Sequence, residues 1–275
     1  MKWTIPAKTF LVGEYIALVG GPALLLTTSP SFELGIVEEQ SASQIHEDSP
    51  AGRLWKKTGL REHLSWHDPY HGLGGLGASS AQFLGAYYAQ AFLKGTSIDP
   101  QEMLDAYFDC AWRGVGLRPS GYDVLAQHRQ GHVYLNRSSD DYLSLNWPFL
   151  DISFVLIHTG HKLQTHHHLE ALVLPLVMER LTALVYSARD AFLTAQSSLL
   201  IDAVNGYFEQ LKQMNWVTPH TIGLVEHLKQ DPDVLAIKGC GAMGADVLLV
   251  LVPNERLSAA REKFRGQGYL ILASN

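Results

Sequence analysis

Cysteine is scarce: two residues in 275, Cys110 and Cys240, both in apolar or glycine-rich surroundings. Two thiols cannot build a disulfide framework, so a reducing compartment, the cytoplasm, is expected. Long apolar runs are also missing. The longest, Val247–Val252, falls far short of the roughly 18 residues that span a bilayer and suits a buried strand instead. Residues 1–6 carry no apolar stretch of the signal-peptide kind, so no leader is expected. Positive charge is not in excess. Lys and Arg number 21 against 27 Asp and Glu, a formal net charge of −6, which argues against a nucleic-acid or anionic-membrane surface. A local basic pocket is still compatible with that balance, and an anionic substrate would require one. There is no internal repeat and no low-complexity linker.

What is present is an ordinary globular composition, 47% apolar and 17% charged, enough for one large core or two modest ones. Short apolar runs at Phe10–Val12, Ala23–Leu26 and Phe32–Val37, broken by Gly and Pro, read as strands and turns. Residues 40–70 are polar and read as loops with one further strand. Phe83, Leu84, Tyr87, Tyr88, Ala91 and Phe92 recur at helical spacing and predict a helix over 79–94. Asp99-Pro100 opens a second helix over 100–113, as an N-cap followed by proline should. Strands follow at 131–136 and 152–158, then a long helix from 168 to about 195, another at 199–214 and a shorter one from Pro219. The last 40 residues read strand, glycine loop, strand, helix, strand. A β-rich first half and a helix-rich second half predict an α+β chain in two lobes, 1–150 and 151–275, that share an extensive interface.

Two segments fit the pattern GxGxxG, Gly72–Gly77 and Gly239–Gly244. A dinucleotide site needs strand, loop and helix in that order. The first loop follows the polar Trp66–His71 and the second opens onto a strand, so neither has that context. The Walker pattern GxxxxGK[ST] is absent. The first loop does run into a helix through Gly77-Ala78-Ser79-Ser80, where unpaired backbone N–H groups and the helix dipole favour an anion. A turn capped by Ser79 or Ser80 fits the same residues equally well.

Four segments, in order, resemble the GHMP kinases, the family of galactokinase, homoserine kinase, mevalonate kinase and phosphomevalonate kinase. Pro6–Tyr15, continuing to Gly20-Gly21-Pro22-Ala23-Leu24, resembles the first motif, and Gly75–Ala81 resembles the phosphate loop. Pro119-Ser120-Gly121-Tyr122-Asp123 is similar to the segment carrying the catalytic aspartate, and Lys238–Asp246 to the third motif. The resemblance implies a two-lobed α+β fold with a ferredoxin-like C-terminal lobe. It implies ATP and Mg²⁺ as cofactors, with the nucleotide held by Gly74, Gly75, Leu76, Gly77, Ala78, Ser79 and Ser80, and Ser79 as metal ligand. Lys8 and Asp123 become the catalytic pair. A small anionic acceptor is expected against Glu14, Ser120, Gly121, Thr159, Lys162, Thr165, Gly241 and Ala242. A homodimer is compatible with all of this.

Asp123 would take the proton of an alcohol acceptor, or orient Lys8 if the acceptor is a phosphate. Its presence, and the missing galactokinase signature, lean towards mevalonate or phosphomevalonate as acceptor; another small alcohol is the alternative. One departure stands out. Mevalonate kinases hold Mg²⁺ partly through a glutamate on the helix before the aspartate, and the matching position here is Trp112, with Asp105 and Asp109 the nearest acids. A lapsed family member that binds without turnover is therefore the rival reading. The run His166-His167-His168 does not converge on one ion, because neighbours on a helix point about 100° apart, and reads as structural or surface. Cys240 reads as a buried loop thiol.

Overall fold

The computed structural model describes residues 1–37, 45–160, 174 and 178–275. The first sheet is antiparallel and has five strands. β1 (Lys2–Val12) pairs along its length with β2 (Ala23–Val37). β2 also pairs with β3 (His63–His67) through its second half and with β4 (His132–Asn136) through its first, and β4 pairs with β5 (Asp141–Leu145). The two apolar runs at 23–26 and 32–37 are thus one strand. The β1 ladder continues past them, with its register shifting between Ile5 and Ala7 at the point where Pro6 has no N–H to give.

Four helices accompany this sheet. α1 (Pro50–Thr58) lies in the stretch that sequence reads as loop. Its start was nevertheless written there: the Ser49 hydroxyl accepts from Gly52 N at 3.0 Å, Pro50 sits in the first turn, and Gly59 closes the helix in the left-handed conformation. The buried side is Pro50, Ala51, Gly52 and Leu54, too few large residues to give a helical period. α2 (Ala78–Lys94) matches its expected range and lies against β1 and β2. A Cβ on its Gly85 would fall 2.6 Å from Leu34 Cβ, so the missing side chain lets helix and sheet approach. α3 (Pro100–Ala111) begins as expected, with Asp99 Oδ1 accepting from Gln101 N and Glu102 N at 2.8 and 2.9 Å. α4 (Tyr122–Arg129) is a short helix that sequence did not reveal.

The second sheet consists of β6 (Ile152–His158), β7 (Ala236–Cys240), β8 (Val247–Pro253) and β9 (Ile271–Ser274), in the order β7-β8-β6-β9 with every pair antiparallel. With α5 (Glu179–Thr194), α6 (Ser197–Gln213) and α7 (Pro219–Leu228) between β6 and β7, and α8 (Leu257–Gly266) between β8 and β9, this is the ferredoxin-like arrangement. Strands expected at 234–237 and 269–272 lie two residues further on. The part of the expected 168–195 helix before Glu179 falls almost wholly outside the described residues. One buried apolar cluster runs through both sheets, taking in Leu11 and Leu24 of the first and Leu249 and Leu251 of the second. A smaller one around Phe10, Leu104, Phe108 and Tyr122 lies under α3 and α4.

Candidate active site

The loop before α2 is built by its neighbours. Asp68 folds the chain into it, Oδ1 accepting from Tyr70 N at 2.8 Å and Oδ2 from Gly72 N at 2.9 Å. Gly77 then enters α2 with φ +79°, and no side chain caps the helix among the described residues. Ser80 is buried and donates to Gly77 O at 2.9 Å, while Ser79 is exposed. Among the described residues, then, neither serine hydroxyl accepts from the first N–H groups of α2, which are left without a side-chain cap.

Lys8 is carried to this loop by backbone. Its amide donates to Leu76 O at 3.0 Å, and its side chain runs under Gly77, where a Cβ would lie 2.8 Å from Lys8 Cε. Gln127 of α4 ties the two together, its Nε2 donating to Pro6 O at 2.8 Å and Gly77 O at 3.2 Å. The Lys8 ammonium meets Asp123 Oδ2 at 2.8 Å, with the two side chains 9% and 33% exposed. Asp123 reaches that place because α4 starts at Gly121, φ +74°, where any Cβ would strike Leu104 Cδ1 at 2.3 Å. Ser120 is fixed from both sides: its hydroxyl accepts from Tyr122 N at 3.2 Å, and its carbonyl accepts from Arg137 Nη1 at 2.8 Å. Burial, reinforced by the charge of Asp123, raises the Tyr107 phenol above its ordinary value.

Lys8, Gly77, Tyr107, Ser120, Gly121 and Asp123 line a cleft of about 610 Å³, which also takes in Glu14, Tyr15, Trp66, Asp68, Gly241, Ala242 and Asp246. The third glycine motif thus lines the same cleft as the loop before α2. A Cβ at Gly75 would fall 2.7 Å from both Asp246 Cβ and Val247 Cγ2. Of the expected site residues, Lys8, Glu14, Gly74, Gly75, Gly77, Ala78, Ser79, Ser80, Ser120, Gly121, Asp123, Gly241 and Ala242 all come to this one space. Leu76 is buried beneath it. Thr159 is nine-tenths buried and its hydroxyl donates to Ala245 O, so it supports the third motif from behind. Lys162 and Thr165, with the three consecutive histidines, lie outside the described residues.

The metal question turns on Trp112. Its indole donates to Val115 O at 3.2 Å, and the ring is 39% exposed. Asp105 and Asp109 are both exposed on α3, and Asp105 is occupied by Gln101 Nε2 at 3.0 Å; neither lines the cleft. Among the described residues no group of three or more His, Cys, Asp or Glu is arranged to hold a metal ion. Asp68, Gln127 and Lys238 are the parts sequence reasoning passed over. Asp68-Pro69 was a readable turn signal, whereas Gln127 and Lys238 act only across the fold.

No known family profile matches the sequence, and none of the curated proteins matches it by sequence. Similarity appears in the solved structures. Streptococcus pneumoniae phosphomevalonate kinase, in complex with phosphomevalonate and AMPPNP, superposes with a TM-score of 0.81 at 16% identity, over 100% of this chain and 99% of that one. Methanococcus jannaschii mevalonate kinase gives 0.76 at 14% identity over 100% and 98%. Lactococcus lactis galactokinase complexed with galactose gives 0.75 at 13% over 100% and 92%. From end to end, the chain has the GHMP kinase fold.

Proposed function

We propose that this protein is an ATP-dependent small-molecule kinase. The observation that carries the reading is the Lys8–Asp123 pair held at 2.8 Å beside the uncapped start of α2, in one cleft. Phosphoryl transfer asks mainly for positioning and for stabilisation of negative charge. Gly74–Ser80 would hold the triphosphate, with the N–H groups at the start of α2 as hydrogen-bond donors to it. Lys8, fixed by the Leu76 carbonyl and crowded by Gly77, offsets charge on the γ-phosphoryl group. An alcohol acceptor gives its proton to Asp123 as its oxygen bonds to phosphorus and the bond to ADP breaks. For a phosphate acceptor, already ionised, Asp123 keeps Lys8 in place instead. Ser79, exposed at the loop, would be the protein ligand for Mg²⁺, which binds mainly through phosphate oxygens and water and neutralises their charge.

Mevalonate or phosphomevalonate is the acceptor we favour, in a cytoplasmic enzyme. The pneumococcal neighbour, bound to phosphomevalonate and AMPPNP, supports that choice. Trp112, standing where a metal-binding acid would, favours a second reading in which nucleotide binds without transfer. ATP consumption over mevalonate, phosphomevalonate, homoserine and sugar acceptors separates the two. Transfer to one acceptor supports the kinase; ATP binding with no transfer to any supports the second reading. In the kinase, Lys8→Met and Asp123→Asn each lower kcat by about 10²–10⁴ while the circular-dichroism spectrum is unchanged.

A further inference from the structure

Beneath the cleft a charge pair joins the two sheets. Lys238 belongs to β7, its side chain is wholly buried, and its ammonium forms an ion pair with Glu14, just beyond the end of β1. The same ammonium lies 3.4 Å from Phe10 O, and Cys240 Sγ donates to that carbonyl at 3.3 Å. Every one of these contacts crosses from the strand that leads into the third glycine loop to the strand that carries Lys8 or the turn just beyond it.

The loop transmits the placement. A Cβ on Gly239 would fall 2.3 Å from Gly244 O, so the loop folds back against its own strand with no room for slack. Met243 N donates to Tyr15 OH at 3.2 Å, and Tyr15 stacks on Trp216 at 4.3 Å between centroids. Asp246 and Val247, at the loop's far end, press against Gly75 of the phosphate loop.

Burying an ammonium and a carboxylate is costly, and an apolar pair of similar volume would bind the sheets as well or better. What the ion pair adds is a short contact that tolerates one separation. The second oxygen of Glu14 is buried without a hydrogen-bond partner among the described residues, so Lys238 is what keeps this carboxylate in place. Burial alone would lower the Lys238 ammonium, but Cys240 and Glu14 outweigh it and hold the group above the ordinary lysine value.

We propose that Lys238 is a positioning residue for nucleotide binding: paired with Glu14, it sets how closely the third glycine loop approaches the phosphate loop. This role rests on the kinase reading above. The test is calorimetric titration with Mg·AMPPNP, beside urea denaturation of the same proteins. Lys238→Met strands the buried carboxylate and lowers the urea midpoint. Glu14→Leu/Lys238→Met removes both charges and regains the wild-type midpoint, yet binds Mg·AMPPNP about tenfold more weakly, as expected when a loop is misplaced by a fraction of an ångström. Lys238→Arg, which keeps the charge, retains affinity. A double variant with wild-type stability and wild-type affinity would overturn the role while leaving the kinase reading intact. Wild-type protein that binds no Mg·AMPPNP removes both. Should the double variant fail to fold, Glu14→Gln is read instead; it keeps the side chain's shape and is expected to lose several-fold in affinity, and unchanged binding in it overturns the role equally.

Discussion

Replacing His132 by phenylalanine isolates a term in stability that depends on pH. His132 begins β4 and packs edge-on against Trp147, Phe154 and Phe192, with centroids 5.8, 6.4 and 5.9 Å away. Its Nδ1 has no hydrogen-bond partner among the described residues. Burial in this aromatic box pushes the imidazole from 6.5 down to about 4. Above pH 6.5 neither the folded nor the unfolded chain carries the proton, and the residue adds no pH dependence. Between 6.5 and about 4 the unfolded chain binds a proton that the folded chain does not, so stability falls as pH falls. Below about 4 both forms are protonated and the slope ends. At 1.36 kcal/mol per pH unit, the accumulated loss is about 3 kcal/mol. Phenylalanine fills the box without titrating. Urea unfolding of wild type and His132→Phe across about pH 7.5 to 4 measures the difference, in which the carboxylates common to both chains cancel. The variant should gain on the wild type by about 3 kcal/mol over that range. A difference that stays flat with pH refutes the reasoning.

Three further outcomes follow from the geometry. Gly77→Ala forces a left-handed residue, at about 1–2 kcal/mol, and drives a methyl group to within 2.8 Å of Lys8 Cε; ATP turnover should fall about 10² while urea unfolding shows only a modest loss. Tyr122→Phe removes a buried hydroxyl that donates to Gly20 O and Gly21 O at 2.8 Å and accepts from Arg137 N at 2.9 Å, leaving that N–H without its partner. Its stability should drop by about 1–3 kcal/mol in urea, and an unchanged midpoint would show that the contact contributes nothing. Ser49→Ala deletes the cap of α1 at a cost of about 1 kcal/mol; Ser49→Asn, another capping residue, should be close to neutral in the same measurement.

Much of the site was legible because it is written in short range. A glycine with positive φ, a serine beside a helix start or a proline in a first turn leaves its mark within a few residues, which is why the starts of α2 and α3 lie where the sequence put them. α1 and α4 escaped for a physical reason. Each is short and buries small or mixed residues, so neither shows a helical period, even though Ser49-Pro50 and Gly121 mark their starts. Periodicity also divided β2 into two runs, because the pairing that makes it one strand lies in β1.

Sequence by itself settled the class of chain, α+β with a ferredoxin-like second half, and supplied Lys8, Asp123 and both glycine loops. It could not say whether Ser79 or Ser80 caps the start of α2, because that depends on where the Ser80 hydroxyl points, which is to Gly77 O. It named Glu14 only for the acceptor and did not record that its carboxylate pairs with a lysine 224 positions away. Such contacts depend on two sheets being folded against each other, and nothing local to either residue records them. The motifs name the parts of the cleft; the packing of the sheets fixes the distances between them.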